Sequence, residues 1–439
     1  MHGGQAARIE SLRFDGVRGG HQLLGRLAAL IAVVSVTSLT RLHVQASDVV
    51  VMQNETRHKQ GDEAGTALVL CYYTNWSQYR PEEGRFVPEN IDVTLCTHLI
   101  YAFAKIDGGI LAPYEWNDDS TPWSKGMYER FNDLKAKKSG LKTLLSVGGW
   151  TLGSQPFSQM VATAATRSRF IEHAVQYLRN RTFDGLDVGW EFPTTGGSPP
   201  EDRDRFSLLI QELRVAFENE AEKTHRQRLL LTVAVGVGKD IIDSAYDVPA
   251  IAKFVDYINL MAYNFHGSWE SQTGFNSPLY ARSSEKGLAA TLNQDWSVRY
   301  WIGKGAPANK INLGIASFGN SYHLEDPKQH FIGSPTVGPG QPGEYTRSPG
   351  TLAYYEICRR LQQGWARAFD SEQKSNYAYS DDQWVGYDDE NSVGIKAAYA
   401  KTMKLAGTFV WTLAMDDFVG DFCQRGTYPL LKAMVKGLQ

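Results

Sequence analysis

The stretch FDGLDVGWEFP (residues 183–193) decides the fold. Leu186, Val188 and Trp190 alternate with Asp187, Gly189 and Glu191, which is the period of a β-strand whose successive side chains point to opposite faces. One face is apolar; the other is a row of acid, glycine, acid that ends on a glutamate. Two acids with a gap between them read either as a catalytic site with one part removed or as a strand that needs a small residue there.

Outward from this strand, seven more short apolar, β-branched or aromatic runs read as strands. They are ALVLCYYTNW from Ala67, THLIYAFAKI from Thr97, KTLLSVGGW from Lys142, LLLTVAVGVG from Leu229, VDYINLMAYN from Val255, INLGIASFGN from Ile311 and GTFVWTLAMDD from Gly407. Between them lie helical patterns such as RSRFIEHAVQYLRNR from Arg167 and DRFSLLIQELRVAFENEAEK from Asp204. Eight strands alternating with helices predict an α/β fold of the (β/α)8, or TIM barrel, type. Residues 320–392, rich in Gly, Pro, Tyr and short β-like pieces, break the rhythm and read as a small α+β insertion domain after the seventh strand. The barrel is then residues 67–319 and 393–439.

The 439 residues carry 45 Lys and Arg against 48 Asp and Glu, a net charge of −3, which leaves no electrostatic footprint for nucleic acid or an anionic membrane. Aromatic residues make up 12% of the chain, including 11 Trp, enough to pack a core and also line a surface that stacks flat apolar faces. At the N-terminus, LAALIAVVSVTSL (residues 27–39) follows Arg8, Arg13, Arg18 and Arg26 and precedes VQAS, the pattern of a secretory signal cut after Ala46, with residues 47–66 as a linker. Arg26 and Arg41 bracket too few apolar residues for a stable membrane span. A retained anchor is the competing reading. The sequons at Asn54, Asn75 and Asn180 accord with export and glycosylation. In an exported chain the four cysteines read as two disulfides, for which three pairings exist; nearness in the chain favours Cys71 with Cys96. No Cys-x-x-Cys pair or His spacing suggests a metal, and no cofactor is expected.

In a barrel the active face is the C-terminal end of the strands. Glu191 falls there, as do Trp76, Trp150, Tyr263 and Trp411 on four other strand candidates. Aromatic rings around an acid describe a saccharide cleft, since flat sugar faces stack on rings without needing charge.

These residues carry a family resemblance. CYYTNWSQYR, THLIYAFAKI, KTLLSVGGW, FDGLDVGWEFP, LMAYNFHGSW, SPLY, GTLAYYEIC and FVWTLAMDDF resemble, in order and spacing, motifs of the family 18 glycoside hydrolases of animals, the chitinases and chitinase-like lectins, from about Ala67 to Gln439. The resemblance implies the disulfides Cys71–Cys96 and Cys358–Cys423, identifies the insertion as the family's chitinase insertion domain, and leads one to expect no cysteine-rich chitin-binding module after the barrel. It also implies chemistry in which the substrate's own acetamido oxygen attacks the anomeric carbon. Glu191 is then the acid, Asp187 part of the carboxylate relay, and Tyr263 the hydroxyl that holds the acetamide.

The family pattern Asp-x-x-Asp-x-Asp-x-Glu is met by Asp184, Asp187 and Glu191, but Gly189 stands where the orienting aspartate is expected. Phe192 replaces a Tyr, Asn264 an Asp, and Phe318 and Asn320 a Tyr and an Arg. Each change removes a hydroxyl or a charge. Trp76, Tyr79, Trp116, Trp150, Met261, Trp269 and Trp411 match the family's substrate-binding positions. The resemblance therefore implies a secreted, monomeric binder of chitin or N-acetylglucosamine oligosaccharides with little or no hydrolysis. A weakly active endochitinase, and an extracellular signalling or host-interaction protein without a sugar ligand, stay open.

Overall fold

Runs of side chains buried on both faces become eight parallel strands, as expected where helices cover a closed sheet. The computed structural model describes residues 67–439; the leader at 1–46, the linker at 47–66 and the Asn54 sequon lie outside them. The barrel strands are β1 (Leu68–Thr74), β2 (His98–Asp107), β4 (Lys142–Gly148), β5 (Gly185–Gly189), β6 (Leu230–Val235), β7 (Tyr257–Leu260), β8 (Ile311–Ala316) and β15 (Gly407–Trp411). They pair in the order β1-β15-β8-β7-β6-β5-β4-β2, and β2 returns to β1, so no barrel edge is left open.

The alternation in FDGLDVGWEFP sorts two cores. Leu186, Val188 and Trp190 join the apolar layer between strands and helices. Inside the barrel, Leu70, Tyr72, Ile100, Ala102, Leu144, Tyr263, Ala316, Phe318 and Phe409 form a separate cluster. Asp187 sits level with Ser146 of β4 and Thr232 of β6. The strand ends at Gly189, two residues short of the glutamate, yet the alternation persists: the Trp190 ring stacks on Phe157 at 5.0 Å and its indole N–H donates to Ser154 Oγ at 2.9 Å, which leaves Glu191 facing the barrel mouth.

The helical patterns become the helices Ala164–Asn180, opened by a Thr163–Thr166 capping box, and Asp202–Thr224. One strand escaped the sequence reading. β3 (Ile110–Pro113) folds back antiparallel on β2 through Gly108 and Gly109, both at positive φ, with Asp107 opposite Ile110. A Gly-Gly pair between two strand-like runs is the hairpin signal that marks it.

Between β8 and β15 a second, antiparallel sheet is inserted. It consists of β9 (Phe318–Leu324), β10 (Thr336–Pro339), β11 (Thr351–Ala353), β12 (Ala366–Asp370), β13 (Ser375–Ser380) and β14 (Gln383–Tyr387). Its order is β10-β9-β14-β13-β12, with β11 pairing the Phe318–Asn320 half of β9 on the edge that β10 shares. Cys71 is bonded to Cys96, clipping β1 to the segment before β2, and Cys358 to Cys423, tying the helix Tyr354–Gln362 to the chain beyond β15.

Candidate active site

β5 and the two residues after it supply three inward positions, Asp187, Gly189 and Glu191, and each has a different environment. Asp187 is fully buried and completely satisfied: Oδ2 accepts from the Tyr72 hydroxyl at 3.0 Å and Ser146 Oγ at 2.7 Å, and Oδ1 from Thr232 Oγ1 at 2.6 Å and Asn259 Nδ2 at 3.3 Å. Burial raises its pKa and these donors hold it back. Glu191 faces a cavity of about 420 Å³. Burial pushes its carboxyl up to about 7, opposed only by a backbone N–H of Trp150, so it carries its proton in mildly acidic solution as a general acid must.

Gly189 lines the same cavity. A Cβ there would meet nothing closer than Val147 O at 3.5 Å and Ser146 Oγ at 3.6 Å, ordinary van der Waals contacts. Its neighbour Gly148 differs: at φ +123° a Cβ would come within 2.2 Å of the Gly189 carbonyl oxygen. Gly148 is required by the backbone, whereas space does not require Gly189.

The walls of the cavity are aromatic. Trp411 lies between Tyr72, Phe103 and Trp76, with ring centroids 5.3, 5.7 and 6.3 Å away. Trp76, Trp150, Met261 and Tyr263 line the same space. Tyr263 is buried with its ring edge-on to Phe318 and Phe409, and burial, with Glu191 and Asp187 nearby, holds its hydroxyl well above the usual tyrosine range. A second cavity of about 350 Å³ shares Trp411 and Asn264 with the first and adds Trp269, Phe318 and Asn320 from the insertion side. Tyr79 and Trp116 line neither cavity. Tyr79 donates its hydroxyl to Glu115, a residue of the first cavity wall, at 2.7 Å, and Trp116 follows Glu115 on the rim.

The polar substitutions form a neutral knot. Asn320 Nδ2 donates to Asn264 Oδ1 at 3.1 Å, to the His266 carbonyl at 2.7 Å and to Asn276 Oδ1 at 3.2 Å, and Asn264 sits at φ +57° with its N–H on Asn276 Oδ1. Asn264 lines both cavities, so an uncharged amide stands in the cleft wall where the resemblance expects a carboxylate.

Three sequence expectations need correction or redistribution. Phe192 is not brought to either cavity: its ring packs beside Gly236 with the core outside the barrel, so a hydroxyl missing there is not missing from the cleft. Asp184 sits at the far end of the strand, accepting from the Thr143 N–H at 2.9 Å and from Lys135. The sequon at Asn75 presents no acceptor for a glycan, since the Asn75 amide is buried and donates to the Phe103 carbonyl at 3.1 Å.

One organising residue was missed. Asp118 is buried behind the rim and accepts the backbone N–H of Tyr114 at 3.0 Å and of Glu115 at 2.8 Å, together with the hydroxyl of Tyr101, while burial raises its carboxyl to about 6. Its role depends on the Tyr101 hydroxyl of β2, a contact that no periodicity or local motif announces. Among the described residues no cluster of His, Cys, Asp or Glu is able to hold a metal ion.

Comparison with known proteins identifies the family and the fold. The glycosyl hydrolases family 18 matches residues 68–416. Mouse chitotriosidase-1 is 48% identical over 369 residues, covering 84% of this chain and 77% of that protein. Human chitinase-3-like protein 2 is 41% identical over 379 residues, covering 86% and 94%. Among solved structures, human YKL-39, described as a pseudo-chitinase with retained chitooligosaccharide binding, superposes with a TM-score of 0.80 at 41% identity over 85% of this chain and all of that one. An immunomodulatory active chitinase from Trichuris suis gives 0.81 at 39% identity, again over 85% and 100%.

Proposed function

Because this chain belongs to the family 18 glycosyl hydrolases, we propose that it is a secreted, monomeric, chitinase-like protein that binds N-acetylglucosamine oligosaccharides in its aromatic cleft and hydrolyses them little or not at all. The observation that carries this reading is the open space at Gly189. A Cβ at residue 189 would make only ordinary van der Waals contacts, so packing does not account for the glycine, while Glu191 and Tyr263 still line the cavity. The rings that stack sugar remain: Trp76, Trp150 and Trp411 line the cleft without help from residue 189. A carboxylate that steadies a developing cation acts mainly in the transition state, so its loss lowers rate far more than affinity. Removing one such preorganised group costs about 100- to 1000-fold in rate. The 41% identity to a pseudo-chitinase that keeps oligosaccharide binding supports the binding half of this reading, and the 39% identity to an active chitinase leaves the rate to experiment.

Glu191 favours a second reading, slow hydrolysis, because it retains a proton to donate up to a pH of about 7. The two readings separate in one sample: calorimetry with chitotetraose alongside release of product from a labelled chito-oligosaccharide. Binding without turnover supports the first; turnover abolished by Glu191→Gln supports the second. Two disulfides suit an oxidising compartment. No helix among the described residues is long and apolar enough to cross a membrane.

A further inference from the structure

One wall of the first cavity is assembled from two segments remote in sequence, Asn75–Tyr79 after β1 and residues 114–118 after β3. The first lends the cavity Asn75 and Trp76, the second Tyr114 and Glu115. Three side-chain bridges join them. The Tyr79 hydroxyl donates to Glu115 Oε2 at 2.7 Å, Asn117 Nδ2 to Gln78 Oε1 at 2.7 Å with a return bond at 3.3 Å, and Asn75 Nδ2 to Asp118 Oδ2 at 3.4 Å. The first bridge is open to water; the last is buried. Asp118 gathers more than this one bond. Oδ2 also accepts the backbone N–H of Tyr114 at 3.0 Å and of Glu115 at 2.8 Å, and Oδ1 the Tyr101 hydroxyl. Three of its four donors therefore sit on residues that line the cavity, and only the fourth belongs to the barrel strand β2 behind it. All four donors are neutral. The ionisable groups facing the carboxylate are Glu115 and Tyr79 in the wall itself, Tyr73 on β1, Tyr101 on β2, Tyr128 on the helix Met127–Asn132 and Tyr177 on the helix Ala164–Asn180. The cations near these tyrosines are Arg130 and Arg181, paired with Glu89 and Asp119, and Arg85, which is exposed. Burial raises the Asp118 carboxyl to about 6, with the Tyr101 hydroxyl and the two backbone N–H groups holding it back.

We propose that Asp118 is a positioning residue for the sugar cleft: its ionised carboxylate draws Asn75, Tyr114 and Glu115 into one wall, and protonation slackens that wall and weakens its hold on the oligosaccharide. This rests on the glycan-binding reading of the cleft and adds a regulation to it, a grip that is firm at neutral pH and looser in acid. An ionised carboxylate only accepts hydrogen bonds, so all four donors suit the charged form. The added proton finds its place on Oδ1, since Oδ2 already takes three donors; there it meets the Tyr101 hydroxyl, which then accepts instead of donating. Oδ2 becomes the carbonyl oxygen of a neutral acid, and its three bonds to the wall lose the charge that made them about twice as strong as neutral ones. A wall held in its bound shape costs less to order when sugar enters, so slackening it lowers affinity without removing any group that touches the ligand.

The test measures chitotetraose affinity by calorimetry across the range from about pH 5 to about pH 8, a window centred near the Asp118 carboxyl, in the intact protein carrying Glu191→Gln, so that the other raised acid of the cleft no longer titrates. Affinity is expected to fall by about 5-fold toward the acid end, the difference between charge-assisted and neutral hydrogen bonds, through a midpoint of about 6. Adding Asp118→Asn, an uncharged isostere, is expected to give the weaker affinity at every pH; a merely structural Asp118 would lower the thermal midpoint and leave the pH profile of binding as it was. Tyr101→Phe keeps the carboxylate and removes one donor to its charged form, so it is expected to move the midpoint upward. A flat profile, a step that survives Asp118→Asn, or a midpoint unmoved by Tyr101→Phe overturns the proposal, and the last of these decides even where Asp118→Asn does not fold. Absence of chitotetraose binding at any pH sinks the cleft reading and the proposal with it, whereas binding without the step sinks the proposal alone.

Discussion

At the scale of single residues, Trp411 and Gly189 divide the site between binding and chemistry. Trp411 lines both cavities and touches three other rings, so it is the central stacking surface. Trp411→Ala is expected to weaken chitotetraose binding by at least ~30-fold, as removal of a central aromatic anchor does, with the circular dichroism spectrum unchanged; an unaltered dissociation constant would remove Trp411 from the site. Gly189→Asp tests the other half. The Cβ position clears its nearest neighbour by 3.5 Å, and the new carboxylate falls between Asp187 and Glu191, where it can hold an acetamide and couple to their titration. The variant is expected to gain measurable cleavage of labelled chito-oligosaccharide over wild type, and Glu191→Gln in the same background is expected to remove the gain. A folded variant with no gain would show that the missing carboxylate is not what limits the chemistry. Adding Phe192→Tyr is expected to contribute nothing directly, because that ring packs outside the barrel.

At the scale of elements, what was legible in the sequence was what repeats along it. Barrel strands buried on both faces announce themselves as apolar runs, and the inward set of β5 follows from a period of two. The features that escaped depend on contacts made across the chain or on single backbone torsions. The β2–β3 hairpin turns on two glycines at positive φ, and the anchoring of the rim by Asp118 depends on a Tyr101 hydroxyl reached from another strand. Phe192 changes side because the chain turns after the strand ends at Gly189, where the period of two no longer applies. The Cys71–Cys96 bridge is an element-scale device, closing a loop of 25 residues between the first two barrel strands. Replacing both cysteines by serine is expected to lower unfolding free energy by roughly 3 kcal/mol, read from denaturant titration. No change in the midpoint would mean that the bridge does not restrain the unfolded chain.

At the scale of the whole molecule, buried acids set the pH dependence. Glu191 and Asp416 are raised to about 7 and Asp118 to about 6, all chiefly by burial. They face few cations: Glu191 lies near Tyr263, Asp118 near Tyr101 and Glu115, and Asp416 near Asp417, Tyr354 and Tyr428. Between their unfolded values, near 4, and these folded values the native state binds more protons than the unfolded state, so stability falls as pH rises from about 4 to about 7 and then levels off. Burial holds His98 down to about 4, which opposes this trend between about pH 4 and 6.5 with a smaller total shift than the three acids, so thermal midpoints are expected to be higher at pH 5 than at pH 8; the reverse order would contradict the raised carboxyls. The central claim, a glycan-binding barrel whose chemistry has lapsed at Gly189, meets its most direct test in one sample of wild-type protein titrated with chitotetraose and then assayed on a labelled chito-oligosaccharide at pH 5. The account predicts saturable binding with turnover indistinguishable from background. Turnover on the order of 1 per second, typical of enzymes, and abolished by Glu191→Gln would contradict it, because the barrel would then be a working chitinase without the carboxylate at residue 189.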